Sequence, residues 1–347
     1  MRSTHFLVFG LVVSGCSSEG KLPGGFDGVL YTTDGPESPP GSTDSGGDSG
    51  DTDDTGIDPP IDVDCDALPS EPTEKIEVEG ARAYHGIVFD DDGNLLGWDG
   101  RSGMVAAKSD GTAEVFVPGV ESAEQMVRMN DGRVFLVNQW DYTVDVISPE
   151  GARSVFARGL SGYYPYGLVL GPDKNLYVVD SNIYRLDPDT AELELLWGST
   201  DEWLMPHSIG FSLDSRTMYI AMVGDGWLYS VDLDENLDFV GEPEPYVYLE
   251  GGWQDAVGVD VCGNLYVPDY YTSRLYKVTP EGDAEVFVQA RAGGYPHGLE
   301  WGTGRDGWSD TAMYAPLPYS RNTVVAYEIG VPDGARVREW NGVRVGR

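Results

Sequence analysis

Beyond about residue 70 the chain runs in short segments of alternating apolar and polar residues, broken by Gly, Asp and Asn. Period-two runs of strand length with such turns predict β-strands, and no strongly amphipathic helix stands out. The segments share one register. Six copies begin at His85 (HGIVFDDDGNL), Glu124 (EQMVRMNDGRV), Tyr166 (YGLVLGPDKNL), His207 (HSIGF), Asp255 (DAVGVDVCGNL) and His297 (HGLEW). Most copies turn about eight residues on (DDGN, NDGR, PDKN, DSRT, VCGN). A second apolar run then ends in a polar residue (LYVVD, LYVPD), and third (IYRLDP, LYSVDL, RLYKVTP) and fourth runs (AEVFVPG, RSVFARG, AEVFVQA) follow. A repeat of roughly 40 residues built this way predicts an all-β, six-bladed β-propeller of four-stranded blades.

The stretch EKIEVEGARAYH before the first copy reads like AEVFVQARAGGYPH before the sixth. Residues 75–79 are therefore expected to be an outermost strand without a blade of their own, completing a last blade whose other strands span about 297–329. A ring closed in this way has no free sheet edge to invite aggregation. Residues 330–347 are left as an outer strand or appendage. A 347-residue chain with Gly 46, Tyr 20 and Trp 9 has the core and the turn residues for one such domain over 65–347.

The N-terminus reads as targeting, not fold. Met1 and Arg2 precede a short apolar run from Phe6 to Val13, and Val13-Ser14-Gly15-Cys16 resembles a bacterial lipobox. Residues 1–15 are expected to be a lipoprotein signal peptide and Cys16 the lipidated first residue, since the apolar run is too short to span a bilayer. Ser17 after the cysteine favours the outer membrane. Residues 16–64, rich in Gly, Ser, Asp, Thr and Pro, predict a disordered linker. The expected location is thus the bacterial cell envelope, extracytoplasmic, with the membrane touched through the N-terminal lipid only, and the expected state is a monomer.

The net charge is −36; the segment 17–64 carries twelve acidic residues and one lysine, leaving 46 acidic and 20 basic residues in 65–347. That excess excludes nucleic acid as a partner, because a phosphate backbone needs a basic footprint. Export also bears on the remaining cysteines, Cys65 and Cys262, which an oxidising compartment favours as a disulfide, with two buried thiols as the alternative.

Of the four histidines, His5 lies in the leader and the other three, His85, His207 and His297, stand at one register of the repeat. In a propeller the innermost strands line the central tunnel, so His85, Glu124, Tyr166, His207, Asp255 and His297 are expected to form one layer at its mouth. Three imidazoles with an open fourth position are the usual ligands of a catalytic zinc, and nitrogen donors argue against calcium, which stays as the alternative. The loops joining second and third strands open on the same face. Among their residues, Arg101 and Arg321 are the candidates to hold a substrate carboxylate or developing oxyanion.

The pattern YPHGLEW, DGNLLGWD and LYVPDYYTSRLYKVTPEG resembles the propellers of the NHL-repeat and senescence-marker/gluconolactonase superfamily over roughly residues 74–329. Gluconolactonase relatives in that superfamily hold calcium through Glu and Asn or Asp. Here Glu124 and Asp255 are present, no Asn is in the layer, and three histidines are. The layer is more similar to that of the amidating lyase propeller, whose zinc is held by three histidines, with PHS at Pro206–Ser208 and with His85 and His297 as the other two ligands. Streptogramin lyase, a seven-bladed relative, likewise uses tunnel histidines. The resemblance implies a metal-dependent lyase or hydrolase acting on a small extracellular lactone, ester or modified peptide, with Tyr166 or Tyr271 as a base, and Glu124 or Asp255 orienting a ligand or activating a water. The competing reading is a non-catalytic propeller with a structural tunnel metal, binding a protein or other envelope component.

Overall fold

The computed structural model describes residues 63–161, 164–200, 204–290 and 294–335. Cys16, the leader and nearly all of the linker lie outside the described residues, as does the tail beyond 335.

Among the described residues 24 strands form six four-stranded antiparallel sheets. A first strand, β1 (Glu74–Val78), precedes blade one, which is β2 (Ile87–Phe89), β3 (Leu95–Trp98), β4 (Gly103–Ala107) and β5 (Ala113–Pro118). Blade two is β6 (Met126–Arg128), β7 (Val134–Asn138), β8 (Thr143–Ile147) and β9 (Arg153–Arg158); blade three is β10 (Gly167–Leu170), β11 (Leu176–Val179), β12 (Asn182–Leu186) and β13 (Leu193–Gly198). Blade four is β14 (Met205–Phe211), β15 (Thr217–Val223), β16 (Trp227–Leu233) and β17 (Phe239–Tyr248), and blade five is β18 (Gly258–Val259), β19 (Leu265–Asp269), β20 (Arg274–Val278) and β21 (Ala284–Gln289). Blade six takes β22 (Glu300–Trp301), β23 (Ala312–Leu317) and β24 (Thr323–Glu328) from the end of the chain and β1 from its beginning, in the order β1-β24-β23-β22.

The pairing of β1 with β24 runs without interruption from Glu74 opposite Glu328 to Val78 opposite Val324. In the other five blades the pairing of third and fourth strands slips, once in blades one, two, three and five, as at Met104/Val105, Val144/Asp145 and Leu275/Tyr276, and twice in blade four, at Leu228/Tyr229 and Ser230/Asp232. Such bulges add twist to an outer strand. The strand that closes the ring from a distant part of the sequence carries none.

Burial follows the sequence pattern. Second and third strands are buried almost throughout (LLGW, VFLVN, LYVV, LYVPD), because both faces of a middle strand pack against neighbouring blades. Outermost strands are largely exposed, and each blade exposes one aliphatic residue there: Ile76, Val115, Val155, Leu195, Val240 and Val286. Between blades, apolar clusters fill the seams. Val78, Phe89, Trp308 and Tyr314 fill one, and Tyr266, Trp301, Met313 and Tyr327 another.

Cys65 and Cys262 are joined in a disulfide, with Cα atoms 5.7 Å apart and 197 residues between them in sequence. Cys65 lies in a short 3-10 turn, Cys65–Ala67, whose neighbours Val63 and Leu68 pack into the seam of blades five and six. The residues just before β1 are thereby pinned at the base of blade five.

Candidate functional site

The six layer residues do not open the innermost strands, as the repeat register suggested. Five precede them: His85 and Glu124 by two residues, Tyr166 by one, and Asp255 and His297 by three. His207 lies within β14, where the pairing skips from Pro206 to Ser208. The reason is the narrow axis. Near the mouth the entry segments of blades one and two bond to the adjacent blade as well as to their own sheet: Gly86 N–H donates to Glu124 O (2.8 Å) and Gln125 N–H to Tyr166 O (3.1 Å), while the N–H groups of Glu124, Tyr166, Asp255 and His297 donate to Val137, Val179, Pro268 and Pro316 O of their own second strands.

This contact is close enough to dictate residue size. A Cβ on Gly86 would sit 2.3 Å from Glu124 O, and one on Gly167 would sit 2.6 Å from His207 O. Gly86→Ala is therefore expected to push blades one and two apart and to cost about 1–3 kcal/mol, the usual penalty for overpacking. Urea unfolding measures it, and a neutral substitution would show that the blades are not held this tightly.

The layer residues contact one another around the ring. His85 Nδ1 pairs with Glu124 Oε2. The rings of His85 and His297 stack with centroids 4.6 Å apart, and those of Tyr166 and His207 stack at 3.9 Å. Asp255 lies between the other two histidines, its Oδ1 3.3 Å from His207 Nε2 and its Oδ2 3.8 Å from His297 Nδ1. Asp255 is 0% exposed, His297 5% and His207 7%. By strict hydrogen-bond geometry neither carboxylate oxygen of Asp255, neither ring nitrogen of His297 and not the Tyr166 hydroxyl has a partner among the described residues, although Asp255 lies in ion-pair range of both histidines and a side-chain contact from Trp253 favours its charged form. Buried polar atoms are ordinarily satisfied, so this concentration of unpartnered donors and acceptors marks a place built for something else.

Burial governs the charge states. It holds the His207 imidazole down to about 3 and lowers His297, while His85 lies well below the ordinary value through burial and then through the neighbouring histidines. All three rings are thus neutral near pH 7, the form that binds metals. Burial pushes the Asp255 carboxyl the other way, up to about 7, against the pull of His297. Tyr166 is raised well above its ordinary value by burial and then by Asp255. The protein alone therefore keeps Tyr166 protonated near neutral pH, with less of the phenolate that would act as a base than a free tyrosine has.

Because the folded Asp255 pKa of about 7 exceeds the ordinary 3.8, its contribution to stability is present below about pH 3.8 and lost as pH rises through about 7. Asp255→Asn in chelator-treated protein is expected to gain stability relative to the parent between pH 4 and pH 8, by up to about 4 kcal/mol at roughly 1.36 kcal/mol per unit. Urea melts at the two pH values check this; a difference that does not change with pH contradicts it.

Among the described residues no three His, Cys, Asp or Glu side chains are arranged to hold a metal in their present rotamers. The donors are engaged with each other instead, His85 with Glu124 and the other two histidines flanking Asp255. The chemistry of the set nonetheless fits a divalent ion: neutral imidazoles, carboxylates, and unpartnered atoms at Asp255 and His297.

Arg101 and Arg321 are exposed, in the β3–β4 and β23–β24 loops. Those loops touch, since Asn322 Nδ2 donates to Asp99 O (2.6 Å), so both arginines belong to one side of the mouth but stand outside the buried layer. Several loop acids have local work. Asp99 accepts the N–H groups of Arg101 and Ser102, and Asp269 those of Gly252, Trp253 and Thr272.

The histidine face carries an aromatic rim. All seven exposed aromatic side chains among the described residues, Trp140, Tyr142, Tyr164, Tyr248, Trp253, Tyr271 and Tyr319, fall in loops or strand ends on the histidine face. Trp253, Tyr270, Tyr295, Tyr319 and Tyr84 form a continuous chain of rings, with Trp253 6.2 Å from His207 and Tyr319 6.1 Å from His297. Their clustering in loops of one face was a signal available from the repeat register.

No family model matches the chain, and no curated protein does. Solved structures do. A putative gluconolactonase aligns over 76% of this chain and 95% of its own, with a TM-score of 0.61 at 16% identity. Regucalcin from Agrobacterium tumefaciens, described as a calcium-binding protein, aligns over 76% and 96% with a TM-score of 0.61 at 15% identity. Virginiamycin B lyase from Staphylococcus aureus aligns over 74% and 88% with a TM-score of 0.50 at 15% identity. The chain thus has the fold of the gluconolactonase and regucalcin propellers, six four-stranded blades around a central tunnel.

Proposed function

We propose that the histidine mouth holds one divalent metal, zinc in preference to calcium, and acts as a metal-dependent lyase or hydrolase on a small extracytoplasmic molecule. The observation that carries this is the layer of three histidines, His207 and His297 buried and His85 partly so, with the buried carboxylates of Glu124 and Asp255, in which the Asp255 oxygens and His297 nitrogens lack a geometrically good hydrogen-bond partner among the described residues. His85, His207 and His297 are the ligands in this reading. The fold neighbours described as gluconolactonases, virginiamycin B lyase and luciferin-regenerating enzyme support chemistry of this class.

A bound metal supplies a Lewis acid that polarises a carbonyl or leaving oxygen. The chain's own residues do the rest. Glu124 fixes the His85 ring, and Asp255 orients His207 and His297 and stands where a proton is taken up or returned. The aromatic arc above the layer gives the flat faces of an organic ring something to stack on and excludes water from the mouth. In this reading Arg101 and Arg321, exposed in adjoining loops of the histidine face, meet an anionic group of the substrate.

The pairing of the donors with one another favours the second reading, a non-catalytic binding module whose polar layer is structural. Elemental analysis of protein purified without an affinity tag separates the two at the first step. About one zinc per chain, together with turnover of a lactone or ester panel that chelator abolishes, is the expected result; metal-free protein that gains neither zinc nor activity on reconstitution overturns it.

We further propose that Cys16 anchors the protein in the cell envelope. Cys16→Ser is expected to move it from the detergent phase to the aqueous phase in a phase-partition assay, and unchanged partition would remove the anchor.

A further inference from the structure

One register position below the histidine layer the six residues are Gly86, Gln125, Gly167, Ser208, Ala256 and Gly298. Five are as small as side chains can be. The glycines follow from the close approach of the blades, since a Cβ on Gly86, Gly167 or Gly298 would lie 2.3, 2.6 or 3.1 Å from the carbonyl oxygen of Glu124, His207 or His85. Gln125 is the one long side chain of this layer, 7% exposed, and it reaches across the axis.

Its amide is anchored in three other blades. Nε2 donates to Asp255 O (3.0 Å) in blade five, while Oε1 accepts from Leu168 N–H (3.3 Å) in blade three and from Ser208 Oγ (3.0 Å) in blade four. The backbone of Gln125 adds the bond to Tyr166 O, and its own carbonyl accepts from Val137 N–H (3.1 Å). One buried residue thus touches the backbone or immediate neighbour of Glu124, Tyr166, His207 and Asp255, four of the six layer residues. Below it a cavity of about 280 Å³ continues down the tunnel to Asp333 and Ala335 of the C-terminal segment.

We propose that Gln125 is a positioning residue for the metal site: its amide sets the distance between the His207 and Asp255 segments and floors the mouth, so that the site is a cup open only on the aromatic face. This rests on the zinc reading above. An amide suits the task because it donates and accepts at once without bringing a charge beside the ligands. A methionine of similar length fills the same space and makes none of these bonds.

Zinc alone, titrated into metal-free Gln125→Met, is expected to bind about 10–100-fold more weakly than to the parent, the usual effect of losing an outer support of a metal site. Cobalt(II) substituted for zinc is expected to show an altered visible spectrum, which a purely structural role would not produce. Ser208→Ala, which removes a single bond to Oε1, is measured beside it and is expected to weaken zinc at least threefold; it decides the matter where Gln125→Met does not fold. Parent protein that binds zinc while both variants bind it equally well, with unchanged cobalt spectra, overturns the role of Gln125 and leaves the site standing. Parent protein that binds no zinc overturns both.

Discussion

His207→Ala is expected to lower zinc affinity by more than about a hundredfold, beyond the 10–100-fold that outer supports contribute, and to leave the propeller folded. Two features make this the largest functional effect. His207 is buried beside Asp255 and stacked on Tyr166, so no exposed side chain or solvent can replace its nitrogen. Burial also keeps the ring neutral, so it is ready to bind at any pH above about 3. The fold survives because blade four is held by its own apolar cluster of Ile209, Phe211, Met218 and Ile220, with the metal adding nothing to that core. His85→Ala and His297→Ala are expected to behave alike. Isothermal titration with zinc, beside a far-ultraviolet spectrum, is the measurement; three variants that all keep the parent affinity would end the three-histidine site.

The largest effect on stability is expected from Cys65→Ser with Cys262→Ser. Removing a native disulfide from a folded domain costs about 2–5 kcal/mol, and a long closed loop puts this one toward the upper part; here 197 residues separate the cysteines. Without the bond, Val63 and Leu68 are held against the blade five–six seam by packing alone, and Lys277 Nζ contributes one long bond to Pro69 O (3.4 Å). Fraying is expected to begin there and to spread to β1, whose loss would expose the edge of β24. Urea unfolding of the parent in reductant and of the double variant in oxidant should agree. A loss below about 0.5 kcal/mol would mean that the β1–β24 pairing by itself closes the ring.

Much of this architecture is legible in the residues because a propeller is periodic. Each blade repeats the same alternation, so six copies of one weak pattern reinforce each other, and the turn residues Gly93, Gly132 and Gly263 mark the same corner in blades one, two and five. The register that predicted the blades also placed His85, Glu124, Tyr166, His207, Asp255 and His297 in one layer, since residues equivalent in sequence are equivalent about the axis. It misjudged where the strands begin. Near the axis the entry segments of blades one and two also bond to the adjacent blade, and a contact between neighbouring blades leaves no mark in the alternation of one.

The sequence by itself determined how many strands form and in what order, the closing role open to the first of them and the chemistry gathered at the mouth, because each depends on local alternation repeated at a fixed spacing. Only the tertiary structure decided which layer residues touch: His85 with Glu124 and His297, His207 with Tyr166 and Asp255. It likewise decided that Gln125 crosses the tunnel, that the rings from Trp253 to Tyr84 touch in one chain, and that burial raises Tyr166 instead of lowering it. Distances across a ring and the solvent left at its axis are set by how six blades close together, and no stretch of sequence shorter than the whole ring contains them.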